Sequence, residues 1–409
     1  MNPDFNRQWR APAWAFSVLL AVLGMLGPFS IDTYLPAFTD IAQSLGATPV
    51  HMQQTLSAYL FGFALMALFH GALSDSFGRR RVVLWGLAVF TLASVGCALS
   101  QTIGQLIGFR ALQGLSTGAG IVVSRAIIRD VYPPAQAQRV MSQVTLFFGV
   151  APALAPMVGG WLVVKAGWHS IFWFLAAVGA AMWLVNLRML PETLPLAQRQ
   201  SFRARHLLAG YWQLGSDPRF VLLALASGIP FNGMFLYVLS APMFLGTHLG
   251  LAPGQFFWFF VLSIAGIMSG AWVSGRMAGR MRPKRQIRAG FLVMLCIGVV
   301  NVAANAVWTA HVAWSVWPVA IFAFGWALMV PVVTLLVLDL HPERRGMASS
   351  LQMFVSAAAN GVVAGVVAPL VMHSTLALAA ASLAMMGVGL LAWVLMRHRW
   401  PEVGQGEPN

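Results

Sequence analysis

The chain has 409 residues, 59% of them hydrophobic and only 9% charged, with a formal net charge of +14. Soluble domains carry about one-quarter charged residues, so the composition excludes a soluble enzyme. It also excludes a nucleic-acid-binding domain, because no soluble basic surface with interleaved aromatics is left to use the positive charge.

A hydrocarbon core of about 30 Å is crossed by a helix of about 20 apolar residues. In chain order such runs are predicted at 14–36, 53–74, 82–100, 103–126, 141–164 and 168–190, then at 219–244, 255–278, 288–308, 312–338, 347–371 and 375–396. The expected fold is an all-α polytopic membrane protein of twelve transmembrane helices. With the N-terminus placed inside, every Lys and Arg except Arg110 and Lys165 falls on one side of this threading. That is the positive-inside bias, so the charge reports topology and both termini are expected in the cytoplasm. The start, MNPDFNRQWRAPAW, leads into an apolar run too long for a signal-peptide core and reads as an uncleaved first helix. Cys97 and Cys296 lie in apolar spans and read as small hydrophobes. No metal and no cofactor is expected.

The longest polar segment, Pro191 to Arg219, divides the spans six and six. The expected organisation is an N-terminal bundle at 1–190, a cytoplasmic linker at 191–218 and a C-terminal bundle with a short tail at 219–409. RDVYPPAQAQRV after span four echoes LDLHPERRGMA after span ten, and GVAPALAPMVGG in span five echoes GVVAGVVAP in span eleven. Two pseudo-symmetric bundles with a cleft between them follow, the architecture that places substrate sites near the membrane midplane.

Within the spans, GPFSIDTYLPAF puts Asp32 about 6–10 Å below the outer end of the first helix at 1.5 Å per residue. After span two, GALSDSFGRRRVVL carries Gly71, Asp75, Gly78, Arg79 and Arg80, which read as a short, charged cytoplasmic hairpin. The corresponding loop in the second half, GRMAGRMRPKRQ, keeps glycine and basic residues but has lost the acid. Span four carries FRALQGLSTGAG, with Arg110 about 10 Å below the same face as Asp32. Gly114 and Gly118 there suit close helix packing rather than a phosphate loop, since no strand precedes them and no Lys follows. Span five holds Gly149, Pro152, Pro156, Gly159 and Gly160, small residues for close approach and prolines that bend the axis.

Asp32 is the acidic residue set well inside a span, and Arg110 its basic counterpart. Charges at membrane depth are costly and mark an ion pathway or a partner. Their matching depths predict that they face one cleft and interact, directly or through water, so that a change of geometry between states would change proton affinity. Tyr34, Tyr59, Gln113, Asn232, Phe235 and Tyr237 are candidate lining for a pocket that takes flat amphipathic molecules. His70 reads as a packing histidine. One Asp and one Arg cannot supply an intramembrane enzyme with nucleophile, base or metal ligands, and no ATP-binding motif appears.

The hairpin resembles the loop signature of the major facilitator superfamily, with Ser76 where a basic residue is common. That resemblance implies that Asp75 faces the start of helix eleven, near Gly346 to Ser349, where the helix dipole favours an anion. It also implies that Arg79 pairs with Asp130 at the end of helix four. The Gly-Pro-rich fifth helix is similar to the antiporter signature of drug exporters, with Ala151-Pro152 and Ala155-Pro156 in place of Gly-Pro. IDTYLPAF, the Arg-Asp-x-Tyr of Arg129 to Tyr132, and FLYVLSAPMF from Phe235 to Phe244 resemble the bicyclomycin and chloramphenicol resistance (Bcr/CflA) exporters. The resemblance implies a monomer of the bacterial inner membrane that exports drug-like small molecules in exchange for protons, driven by the proton gradient. A proton-coupled transporter of one metabolite is the alternative.

Overall fold

The computed structural model describes residues 12–200, 204–251 and 255–403, and these fold as helices without strands. The first half contains α1 (Ala13–Asp32), α2 (Phe38–Ser44), α3 (Pro49–Phe77), α4 (Arg79–Ala98), α5 (Ile103–Val131), α6 (Pro134–Ala166) and α7 (His169–Met189). Helix α8 (Ala204–Ser216) lies in the linker. There follow α9 (Pro218–Leu239), α10 (Phe257–Met277), α11 (Pro283–Val307), α12 (Val312–Ser315), α13 (Trp317–Leu340), α14 (Arg345–Val362), α15 (Ala368–Val371) and α16 (Thr375–Arg399). Among the described residues ten stretches are long and apolar enough to cross a membrane, and α6 adds a shorter apolar segment at Leu154–Ala166.

Local chemistry explains the boundaries. Proline, whose missing N–H costs nothing in a first turn, opens α3, α6, α9 and α11. Thr48 caps α3 and Asp217 caps α9 through side-chain oxygens. Gly78 separates α3 from α4 at φ +100°, a conformation that a side chain would strain. The predicted first span, 14–36, is one helix that stops four residues short of its expected end. Pro36 offers no donor and restricts Leu35, so the chain leaves α1 at Asp32, turns through Leu35–Ala37 and resumes as α2.

The chain forms two compact units. The first contains the chain up to Pro133, Val150–Tyr211 and Pro342–Met353; the second contains Pro134–Gly149, Trp212–His341 and the chain from Phe354 onward. Each expected half therefore contributes one helix end to the other unit. Within the units the contacts repeat: α1, α3 and α4 pack on α5 and α4 on α7, as α9, α10 and α11 pack on α13 and α11 on α16. Small residues permit the closest pairings. A Cβ at Gly114 would collide with the backbone of Tyr59, and one at Gly266 with the carbonyl of Ala320.

Candidate functional site

In the first unit Asp32 is half-buried at the end of α1, and its carboxylate makes no hydrogen bond or ion pair among the described residues. The C-terminal half of α6 packs beside it: Gly159 approaches the carbonyl of Thr33 so closely that a Cβ would collide. Gly160 has open space around it. Pro156 is half-buried, and Gly149 and Pro152 lie outside the residues whose side chains are described.

Arg110, on α5, is fully buried. Its guanidinium carbon lies 4.5 Å from the ring centre of Tyr34 and 4.3 Å from that of Tyr59. Nη1 donates to Gln113 Oε1 at 2.5 Å, and Gln113 Nε2 donates onward to Ser94 Oγ at 2.8 Å. Nε and Nη2 have no partner among the described residues. A desolvated cation gains about 2 kcal/mol from an aromatic face, so the two rings replace part of the counter-ion that a buried charge otherwise needs. Both rings are held by their hydroxyls. Tyr34 lies 2.6 Å from Thr55 Oγ1; Tyr59 lies 2.7 Å from Ser30 Oγ, 3.0 Å from the Gly27 carbonyl and 3.1 Å from Thr117 Oγ1.

Of the two expected forms of interaction between Asp32 and Arg110, direct or through water, the direct hydrogen bond or ion pair is not made among the described residues. The tyrosines and Gln113 contact the guanidinium, while the carboxylate stands at the helix break. Tyr59 is within electrostatic reach of both charges. Tyr34, Tyr59 and Gln113 are thus gathered around one arginine as a buried cluster. Arg125 is half-buried in α5, six residues before that helix ends, and makes no ion pair among the described residues.

In the second unit Phe235 stacks on Phe231 with ring centres 5.5 Å apart, and Phe231 meets Trp326 at 4.9 Å. Trp326 donates its indole N–H to the Ser227 carbonyl at 3.0 Å. Phe231 and Trp326 were missed, although the i, i+4 spacing of Phe231 and Phe235 is visible in the sequence. Asn232 and Tyr237 hydrogen-bond within the unit. Asn232 is fully buried and donates to the Gly228 carbonyl at 3.2 Å, and Tyr237 accepts from Asn301 Nδ2 at 2.8 Å.

The hairpin residues form a charged latch in the first unit. Asp75 Oδ1 receives Arg79 Nη1 at 2.5 Å and the Gly346 N–H at 3.2 Å, while Oδ2 receives the Met347 N–H at 2.9 Å. These two amides open α14, so the carboxylate caps that helix at the positive end of its dipole. Arg79 Nε donates to Asp130 Oδ2 at 3.1 Å, and Arg345 Nη1 to Asp130 Oδ1 at 2.9 Å. Gly71 N donates to Ser350 Oγ at 2.9 Å, and a Cβ on Gly71 would collide with the Gly346 carbonyl. Arg80 donates to the Leu187 carbonyl at 2.6 Å. Glu192 of the linker, unforeseen as a participant, accepts from the Arg79 N–H at 2.9 Å. His70 is buried against Gly118, a packing position.

The Major Facilitator Superfamily profile matches residues 20–364. The chain belongs to the Major Facilitator Superfamily. This facilitator is a transporter and not an enzyme, and it crosses the membrane many times. It is 28% identical over 389 residues to the bicyclomycin resistance protein homolog of Haemophilus influenzae, covering 94% of this chain and 96% of that one. It is 29% identical over 398 residues to multidrug resistance protein D of Escherichia coli, covering 95% and 97%. These relatives agree with the resemblance to Bcr/CflA exporters. The facilitator shares its fold with the human organic anion transporter MFSD10, at TM-score 0.69 and 20% identity over 94% of this chain and 100% of that one. It shares it also with the proton:xylose symporter XylE, at TM-score 0.73 and 15% identity over 95% of each.

Proposed function

We propose that this transporter exports amphipathic drugs across the bacterial inner membrane in exchange for protons, by alternating access, with both termini cytoplasmic and the monomer as the working unit. Asp32 carries the proton, and the proton gradient takes the place of any cofactor. The observation that carries the reading is the state of the two charges in the first unit. Asp32 is half-buried without a partner, and Arg110 is fully buried with two free nitrogens and two tyrosine faces.

A carboxylate left unpaired at membrane depth is costly, and a proton removes that cost. A proton on Asp32 also changes the field at Tyr59, which holds α1 through Gly27 and Ser30 and lies against Arg110. Protonation and the geometry of α1 are thereby linked. Gly159, packed against the residue after Asp32, ties the C-terminal half of α6 to the same break. Phe231, Phe235 and Trp326 supply aromatic faces suited to flat cargo, and the names of the curated relatives favour drugs over a single metabolite.

The test is accumulation of a fluorescent drug in cells lacking their own pumps, with wild type compared with Asp32→Asn at equal membrane levels. Wild type is expected to keep the drug out until an uncoupler is added; Asp32→Asn cells should fill with drug from the start. If Asp32→Asn cells exclude the drug as wild type does, Asp32 is not the coupling group. If an uncoupler lowers drug retention in wild type, the direction of transport is uptake.

A further inference from the structure

The linker is a strap built onto the latch. Gln200 donates its N–H to the Asp75 carbonyl at 2.9 Å and its side-chain amide to the Glu343 carbonyl at 3.1 Å. Beyond it, the 13 residues of α8 make a helix about 20 Å long at 1.5 Å per residue, too short to span a membrane. Its two faces are sharply divided. Leu207, Gly210, Tyr211 and Leu214 face protein, and Gly210 lies so close to Met347 that a Cβ would press on its sulfur. At 100° per residue, Arg205, Leu208, Ala209 and Trp212 fall on the opposite side, where all four are exposed, Leu208 at 71% and Trp212 at 78%.

Three observations say what covers this outer face. The helix ends at Ser216, and Pro218 opens the membrane-spanning α9 after a single residue, so α8 is tied to the membrane surface. Leucine and tryptophan beside arginine is the composition of a helix lying in the headgroup layer. The charge also fits: Arg199 and Arg219 are paired with Glu192 and Asp217, whereas Arg205 has no ion pair among the described residues.

We propose that the outer face of α8 is a lipid-binding surface, with Leu208 and Trp212 sunk into the leaflet and Arg205 on the phosphate of an acidic headgroup. Because the inner face bears on Met347, whose N–H donates to Asp75, the leaflet holds the latch in place through α8. This inference rests on membership of the transporter family and not on the choice of cargo or of proton carrier.

The test uses full-length protein in lipid nanodiscs, with Cys97 and Cys296 replaced by Ser and a nitroxide attached at Leu208→Cys, Trp212→Cys or, as an aqueous reference, Gln198→Cys. Labels at 208 and 212 are expected to collide with oxygen and to be shielded from an aqueous nickel chelate, with the label at 198 open to the chelate. Equal access of all three labels to the chelate would mean that the face is in water. Shielding of 208 and 212 from both reagents would mean that protein covers it. Either result overturns the proposal.

A second measurement separates the headgroup and the latch. Deuterium uptake of the 342–353 peptide should slow when phosphatidylglycerol replaces a zwitterionic lipid. Arg205→Gln should weaken that response about fivefold, the share of one surface arginine at an anionic leaflet. Uptake that ignores lipid charge in wild type would overturn the assignment of Arg205 and the coupling to the latch.

Discussion

Two regions of this transporter do the same mechanical task with different chemistry. In the first unit, the segment 342–353 is gripped by Asp75, Arg79 and Asp130, joined by Arg345. In the second, the segment 134–149 is gripped chiefly by neutral amides, with Arg139 Nη2 also donating to the Ala278 carbonyl at 3.4 Å. Gln138 Nε2 donates to the Ser274 carbonyl at 3.1 Å and to Gln286 Oε1 at 2.8 Å, and Gln286 Nε2 donates to Ser274 Oγ at 2.8 Å and to the Leu328 carbonyl at 2.9 Å. The glycines correspond as well: Gly71 lies against Gly346 and Ser350, and Gly275 against Ser142. A buried charged network is costly to break in part, because each member left behind is an unpaired ion. A neutral network loses hydrogen bonds one at a time. The first latch is therefore close to all-or-none and sensitive to electrostatics; the second, which contains no ion pair among the described residues, is more graded.

Substitutions can break or sharpen that contrast. The largest effect is expected from Asp75→Asn, which leaves Arg79 short of one counter-ion and should weaken the hold on 342–353 by about 3–5 kcal/mol. Deuterium uptake of that peptide in nanodiscs reads it, and an unchanged rate would remove the charge from the explanation. Next is Gly71→Ala, whose Cβ would meet a backbone carbonyl that has no room to yield, at a cost of about 1–3 kcal/mol. Gly275→Ala is the matched control, because its Cβ would sit at an ordinary 3.5 Å from the Ser142 Cβ. Comparing the thermal unfolding of both variants in detergent tests the pair, and similar losses would deny that the first latch is the tighter. Gln286→Ala should cost about 1–3 kcal/mol, loosening 134–149 alone, as uptake across that peptide would report.

The smallest effect concerns the charge at the foot of α9. Burial pushes the Asp217 carboxyl up, but hydrogen bonds and charge from Arg219 outweigh it and hold the group below its ordinary range. A depressed value means that its stabilisation is complete above about pH 4 and is lost as pH falls further. Asp217→Asn should therefore flatten the acid limb of an unfolding-versus-pH curve. An identical limb in wild type and variant would rule Asp217 out as its source.

Much of this was legible in the sequence, and the reasons differ by element. The spans were visible because membrane helices must be long and apolar. The hairpin was visible because Gly78 and its flanking charges have few other uses. The break was signalled by Pro36, where the predicted span ends, but its onset at Asp32 was not. Helix α8 was read as plain linker, since its alternation of protein-facing and outward-facing apolar residues lies among arginines and prolines. The meeting of Arg110 with Tyr34 and Tyr59 instead of Asp32 depends on azimuth around the helices, which depth arithmetic does not supply. The loss of the acid from the second loop was evident; its replacement by Gln138, on a segment far away in sequence, was not.

The account turns on Asp32 as the group that exchanges a proton for cargo. The most direct measurement is proton movement in sealed proteoliposomes containing a pH-sensitive dye, recorded when cargo is added to wild type and to Asp32→Asn. The account predicts a cargo-dependent proton flux in wild type that vanishes in Asp32→Asn, with the variant still folded and inserted. A flux of the same size in both proteins, or cargo movement by wild type with no proton flux, would contradict it.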